Sequence, residues 1–424
     1  MNVGGVLVEK SISWKKNLFV LATSQFLAMV GFGCCMPFIS LLLKDKLNIM
    51  DDSVRGLYMS IYSLVSVIGL TIAYPIWGTL GDRYGRKLML LRASYMAGLI
   101  YPLIAFAPNY WWMLVARGLA SMFSGTVNPA QTLVITVVPS EKRSMGLGFM
   151  TTAQWSGDMI GYLLGGVMVD ALKASFGKNT AYNVTFLACG AIYIISGILV
   201  HLFVDDAHVW MSDEQLQVKA AARKKPALSS ILTPGVAMIL LLFLLMGMAR
   251  RITGPFLAML VETIPNVKKV ATITGYTSAI TAAGGVVAGL LVGQLSRRFK
   301  PGSLLPPLLV FCSLSGLGAA LTYDVYFLQF CRFLEFAAAG CVQPVLQVML
   351  TAITDPKKHG AYLGWTASLN SFGGIFSNLI SAPLAFYVGV RGIYVAAAVM
   401  FAVMIPVLIP TMIACKKEMR HSSG

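Results

Sequence analysis

Six ionisable side chains interrupt otherwise apolar runs of this sequence: Arg117, Asp158, Arg250, Arg251, Arg332 and Glu335. A charge at the centre of a bilayer costs about 2.5–3.5 kcal/mol on insertion scales, so such residues face a cavity or a partner. Asp158 and Glu335 are the candidates for taking up and releasing a proton. Burial and a neighbouring arginine pull a carboxyl group's proton affinity in opposite directions, and a conformational change can tip that balance. Asp158 is expected to meet Arg117 or Arg250 across a cavity, with a static salt bridge as the rival reading. Arg332 and Glu335, spaced i, i+3, can pair on one helix face and serve structure alone. Arg250 and Arg251 stand just before Gly254–Pro255, where a helix can break and free backbone groups. Adjacent residues point about 100° apart on a helix, so one arginine is expected to neutralise Asp158 or Glu335 while the other meets a ligand. Four bases against two acids leave a positive surplus, which favours an anionic or zwitterionic ligand.

Further cavity candidates are Met36, Gln131, Trp155, Tyr276, Gln343, Trp365 and Asn370. Aromatic platforms and soft methionines suit promiscuous hydrophobic binding. Ordinary packing or lipid contact is the alternative for most of them. None of the seven cysteines has metal-ligand or redox spacing, and they read as small apolar packing residues. No Walker A or HExxH sequence, nucleophile elbow or carboxylate-rich cluster occurs, so neither an ATP-driving site, a bound metal nor an enzyme is expected.

The elements that must position these residues follow from composition. Of 424 residues, 57% are hydrophobic and 12% charged, and the mean hydropathy is +0.74. A soluble domain carries about 25% charge, so this chain is read as an all-α integral membrane protein. The net charge of +16 lies in short clusters between apolar runs, the pattern of membrane topology and not of nucleic-acid binding. The first apolar run is too long for a cleavable signal peptide.

Spans of about 20 apolar residues are expected near 17–43, 55–77, 88–107, 111–137, 147–170 and 183–204. Six more fall near 235–261, 271–294, 303–322, 326–353, 361–388 and 391–413. This divides the chain into a bundle over 1–204, a polar central loop over 205–233 and a second bundle over 234–424. The loop reads as a tether with a short amphipathic stretch at the membrane face. Lys and Arg are in excess in alternate loops, which puts both termini in the cytoplasm. The halves also repeat. Gly78 matches Gly293, Arg83 matches Arg298, Arg117 matches Arg332, Gly125 matches Gly340, Pro129 matches Pro344 and Lys142 matches Lys357, always at one fixed offset. Two six-helix bundles in the same orientation form a parallel pseudo-twofold repeat, with a cavity between them and rocking for alternating access.

Between the second and third spans stands GTLGDRYGRK, with Gly78, Asp82, Arg83, Gly85, Arg86 and Lys87. Asp82 is placed to favour a helix N-terminus through its dipole; a plain positive-inside anchor would need neither the Asp nor the glycines. This loop resembles the major facilitator superfamily signature GxxxDRxGRK. In the fifth span, Gly148, Gly157, Gly161, Gly165 and Gly166 resemble the family's exporter spacing, with Tyr162 where the family has proline. Taken alone, Gly157, Gly161 and Gly165 also read as a small-residue packing face. Arg117 occupies the family's RxxxG arginine, with Ser121 in place of the glycine, and Arg297 replaces the acid in the second-half loop. The resemblance extends to the twelve-span drug:proton antiporters from about Trp14 to Pro410. It implies the MFS fold and a polyspecific exporter that exchanges cytoplasmic amphiphiles for protons, with the proton gradient as energy source and no cofactor. A monomer in a prokaryotic inner membrane is expected. A facilitator or importer of an organic anion, and a transport-dead scaffold, are the other readings of the same fold.

Overall fold

The structure, a computed structural model, describes residues 13–205, 233–299, 301–354 and 359–422. Among these residues the chain is all-helical. The first half comprises α1 (Trp14–Cys35), α2 (Ile39–Asp45), α3 (Asp52–Tyr84), α4 (Arg86–Ala105), α5 (Tyr110–Phe123), α6 (Val127–Val137), α7 (Arg143–Phe176) and α8 (Lys178–Phe203). The second comprises α9 (Pro234–Ile252), α10 (Leu257–Glu262), α11 (Val270–Arg298), α12 (Pro301–Leu321), α13 (Val325–Ala352), α14 (His359–Tyr387) and α15 (Gly389–Ser422). Ten segments are long and apolar enough to cross a membrane, counting α1 with α2 and α9 with α10 as one each. The central loop, with its expected amphipathic stretch, lies outside the described residues.

Among the described residues, the expected spans four and eleven have no counterpart among those ten. The fourth is broken into α5 and α6 at Ser124–Thr126. At the break the Ser124 hydroxyl donates to the Ala120 carbonyl. The matching stretch of the second half, through Gly340 and Pro344, stays one continuous helix, α13. The eleventh is α14, 29 residues long.

Both halves share another interruption. A 3₁₀ turn over Met36–Phe38 joins α1 to α2, and one over Gly254–Phe256 joins α9 to α10. Each has proline as its second residue, Pro37 and Pro255. Proline lacks the N–H of the helical ladder and crowds the preceding turn. The break expected at Gly254–Pro255 is present, and Pro37 supplies a second.

Within the first half α7 lies against α1. A Cβ at Gly157 would stand 2.3 Å from the Phe26 carbonyl oxygen, one at Gly161 2.4 Å from that of Val30, and one at Gly165 2.4 Å from that of Cys34. Only glycine permits this approach. Gly166 faces the other half, where a Cβ would stand 2.5 Å from the Ala271 carbonyl of α11. Gly148 has no such neighbour within 4 Å.

The core is distributed unequally along the bundle. At the end away from the chain termini, one apolar cluster crosses both halves, including Phe38, Leu42, Phe256 and Leu260. At the termini end it separates into two, one built from residues of the second half and one from the first. The halves are therefore joined at the far end and parted at the termini end.

Candidate functional site

A cavity of roughly 320 Å³ lies between the halves, within the size of small-molecule sites. Met36, Arg117 and Trp155 line it from the first half; Pro255, Arg332 and Phe336 line it from the second. The two 3₁₀ turns thus form part of its wall. Trp155 reaches across, its ring 3.8 Å from where a Cβ of Gly285 would stand.

Arg117, on α5, donates to Ser66 Oγ at 2.6 Å and to Met36 Sδ at 3.3 Å, and lies 5.0 Å from the Tyr62 ring centroid. All three partners are neutral. Arg332 and Glu335 form the expected i, i+3 ion pair at 2.7 Å, with both side chains 2% exposed. Arg332 also donates to Thr253 Oγ1 at 3.2 Å and lies 4.8 Å from the Phe336 ring centroid.

Asp158 departs from expectation. It makes no ion pair among the described residues, and its buried Oδ1 has no hydrogen-bond partner. It is on α7 beside the α1 seam, where its carbonyl oxygen stands 2.9 Å from a Cβ placed on Gly33. The anticipated contact with Arg117 or Arg250 is absent because those arginines turn elsewhere. Arg250 donates to Gln343 Oε1 at 3.5 Å and lies 5.9 Å from the Phe336 ring centroid. Arg251 is exposed, packs over Gly374 of α14 and interacts electrostatically with Tyr74 of the first half. Neither arginine directly pairs with Asp158 or Glu335.

The other candidates divide. Tyr276 is 47% exposed and lies outside the lining of this cavity. Trp365 packs against the second-half core, and Asn370 supports the close approach of Gly247 on α9. Gln131 is half-buried on α6.

The loop between α3 and α4 is locally organised. Asp82 is buried and accepts from Arg86 Nη2 at 3.0 Å, at the first residue of α4. Gly85 takes φ +98°, a conformation L side chains rarely adopt. Lys87 Nζ donates to the Val204 and His201 carbonyls at the end of α8, at 2.7 and 3.1 Å. A cation there meets the negative end of the helix dipole. Arg83 lies over the Tyr84 ring, and a Cβ at Gly78 would meet nothing within 4 Å.

A cluster that the sequence did not single out seals the far end. Glu262, ending α10, accepts from Lys44 of α2 at 2.8 Å and forms an ion pair with Arg55 of α3 at 2.6 Å. Arg55 is 1% exposed and also pairs with Asp52 at 2.5 Å. Nearby, Asp170 of α7 accepts from the backbone and hydroxyl of Thr272 on α11 at 2.7 and 2.8 Å. Ser381 donates to Ser60 at 2.9 Å. Charges at span ends are ordinary topology markers, so pairing between halves had no signal in the sequence.

The family model described as Major Facilitator Superfamily matches residues 21–325 and 308–418. Multidrug resistance protein MdtG of Escherichia coli is 28% identical over 392 residues, covering 92% of this chain and 93% of that protein. Among solved structures, a bacterial homologue of the human lysosomal transporter Spinster, in an inward-facing and unoccupied conformation, superimposes with a TM-score of 0.73 at 14% identity. That match covers 96% of this chain and 98% of the other. A D-xylose-proton symporter gives a TM-score of 0.70 at 13% identity, covering 93% and 99%.

Proposed function

The chain belongs to the Major Facilitator Superfamily of membrane transporters, not enzymes, and on that premise we propose that it exports small amphiphilic compounds by proton-coupled alternating access. The observation that carries this reading is the cavity between the halves, lined with aromatic, methionine and arginine side chains and closed at the far end. Similarity to a multidrug resistance protein over nearly the whole chain supports export and broad selectivity. In this reading there are twelve spans in two six-helix bundles related by a parallel repeat, the fourth being α5 with α6 and the eleventh α14. The termini end faces the cytoplasm of a prokaryotic inner membrane, the molecule works as a monomer, and the cavity is open to compounds arriving from inside.

Asp158 carries the exchanged proton. Its lack of an ion pair leaves it free to change protonation without first breaking a salt bridge, whereas Glu335 is held by Arg332 and stands second. The loop from Gly78 to Lys87 acts as the conformational latch. The proton gradient supplies the energy, with no cofactor.

Inside-out vesicles energised to an acidic lumen test this. Uptake of an amphiphile with release of lumenal protons is expected, and Asp158→Asn should abolish gradient-driven accumulation while leaving downhill flux. Accumulation that ignores the pH gradient, or survives in Asp158→Asn, would overturn proton coupling through this residue.

A further inference from the structure

We propose that the compounds this cavity accepts are organic anions, with the acidic group held at Arg117 and drawn in past Arg251 and Arg250. The proposal rests on the transport reading above and names its substrate class. It follows from which intramembrane arginines, in the cavity and beside it, already have partners. Arg332 is neutralised by Glu335 and needs nothing from a ligand. Arg117 is not: its contacts are a hydroxyl, a thioether and a phenol ring, and its Nε is buried without an acceptor.

Arg250 touches an amide and a phenyl ring; Arg251 beside it adds repulsion, and the carboxylate that acts on it electrostatically is the already paired Glu335. Arg251 is exposed over Gly374 and has Tyr74 opposite. The other carboxylate among the six ionisable residues, Asp158, makes no ion pair with any of the three. Three cations therefore lack a direct counter-ion, against a single acid set back at the α1–α7 seam.

Charges of one sign held partly away from water, as at half-buried Arg250 and at Arg117 with its buried Nε, are costly unless something compensates them. A cationic ligand would add to the repulsion. An anion supplies the missing charge and an acceptor for the Arg117 donors, and charge-assisted hydrogen bonds to a guanidinium are the strong kind. Trp155, Phe336 and Met36 line the same space and offer apolar contact to the remainder of the molecule. The ligand is thus an amphiphile with an acidic head.

The experiment is equilibrium binding to the purified full chain in nanodiscs of zwitterionic lipid. Two dansyl-labelled alkyl probes of equal chain length are compared, one ending in a carboxylate and one in trimethylammonium, followed by energy transfer from tryptophan. The carboxylate probe should bind about tenfold or more tightly than the ammonium probe, the scale of one charge-assisted hydrogen bond. Arg117→Gln should lower carboxylate affinity about tenfold without weakening the ammonium probe, and Arg117→Lys should keep the preference. Arg251→Gln, an exposed position over Gly374, should lower carboxylate affinity several-fold by removing a charge that has no counter-ion.

Equal or tighter binding of the ammonium probe would overturn the proposal. So would an unchanged preference in folded Arg117→Gln and Arg251→Gln proteins. The measurement uses no gradient and no flux. Anion preference without proton-driven uptake in vesicles would therefore sink the coupling reading alone, and the reverse result would sink only this one.

Discussion

Glu335 shows what a carboxylate does when its counter-ion is one helical turn away and both are sealed from water. Removing its charge strands Arg332 in the interior, and breaking a buried pair from one side costs about 3–5 kcal/mol. Glu335→Gln should therefore lower the thermal unfolding temperature in detergent markedly. Joint replacement by Arg332→Met and Glu335→Leu should recover much of the loss. A fall in the single variant no larger than in a surface control would contradict this account. The pair was legible from spacing because i, i+3 neighbours meet on any helix. The solitary state of Asp158 was not legible. It depends on Arg117 turning to Ser66 and Arg250 to Gln343, choices made by side chains distant in sequence. Trp155 and Met36 were recognisable as chemistry suited to a cavity, whereas Tyr276 has the same character on an exposed face.

Among the elements, α7 shows how small residues set the distance between helices. The period-four row of Gly157, Gly161 and Gly165 was visible in the sequence, and it meets α1 through carbonyl oxygens. Insertion of a large side chain has no room to relax there, and overpacking of this kind costs about 1–3 kcal/mol or more. Gly161→Leu should reduce the folded yield and lower the unfolding temperature. Gly148→Leu, at a position with nothing within 4 Å, should do neither, and equal damage from the two would refute the packing argument. The break at Gly254–Pro255 was expected from the glycine–proline pair, although Pro75, Pro102 and Pro383 are carried inside continuous helices. The division of α5 from α6 gave no such notice, since the matching Gly340 and Pro344 lie in an unbroken helix.

For the whole molecule, the apolar runs, charge clusters and loop motif disclosed a helical membrane transporter, but not which end of the cavity is shut. Closure depends on Glu262 reaching Lys44 and Arg55 across the divide. Glu262→Gln should loosen that end. The observable is the labelling rate of Ser60→Cys, behind the seal beside Ser381, by a membrane-impermeant maleimide added on the far side. An increase of several-fold is expected, from loss of a buried ionic link; an unchanged rate would move the seal elsewhere, to Asp170 and Thr272 for instance.

The paired 3₁₀ turns give the short helices α2 and α10 the character of levers. Each begins at the cavity wall and ends at the seal, with Pro37 seven residues from Lys44 and Pro255 seven from Glu262. At 1.5 Å per residue each arm is about 10 Å long. A tilt of about 10° at the proline end moves the charged tip by roughly 2 Å along such an arm, comparable with the slack in a hydrogen bond. A molecule wedged against Met36 and Pro255 would thus act on the far gate by leverage, without touching any of the residues that hold it closed.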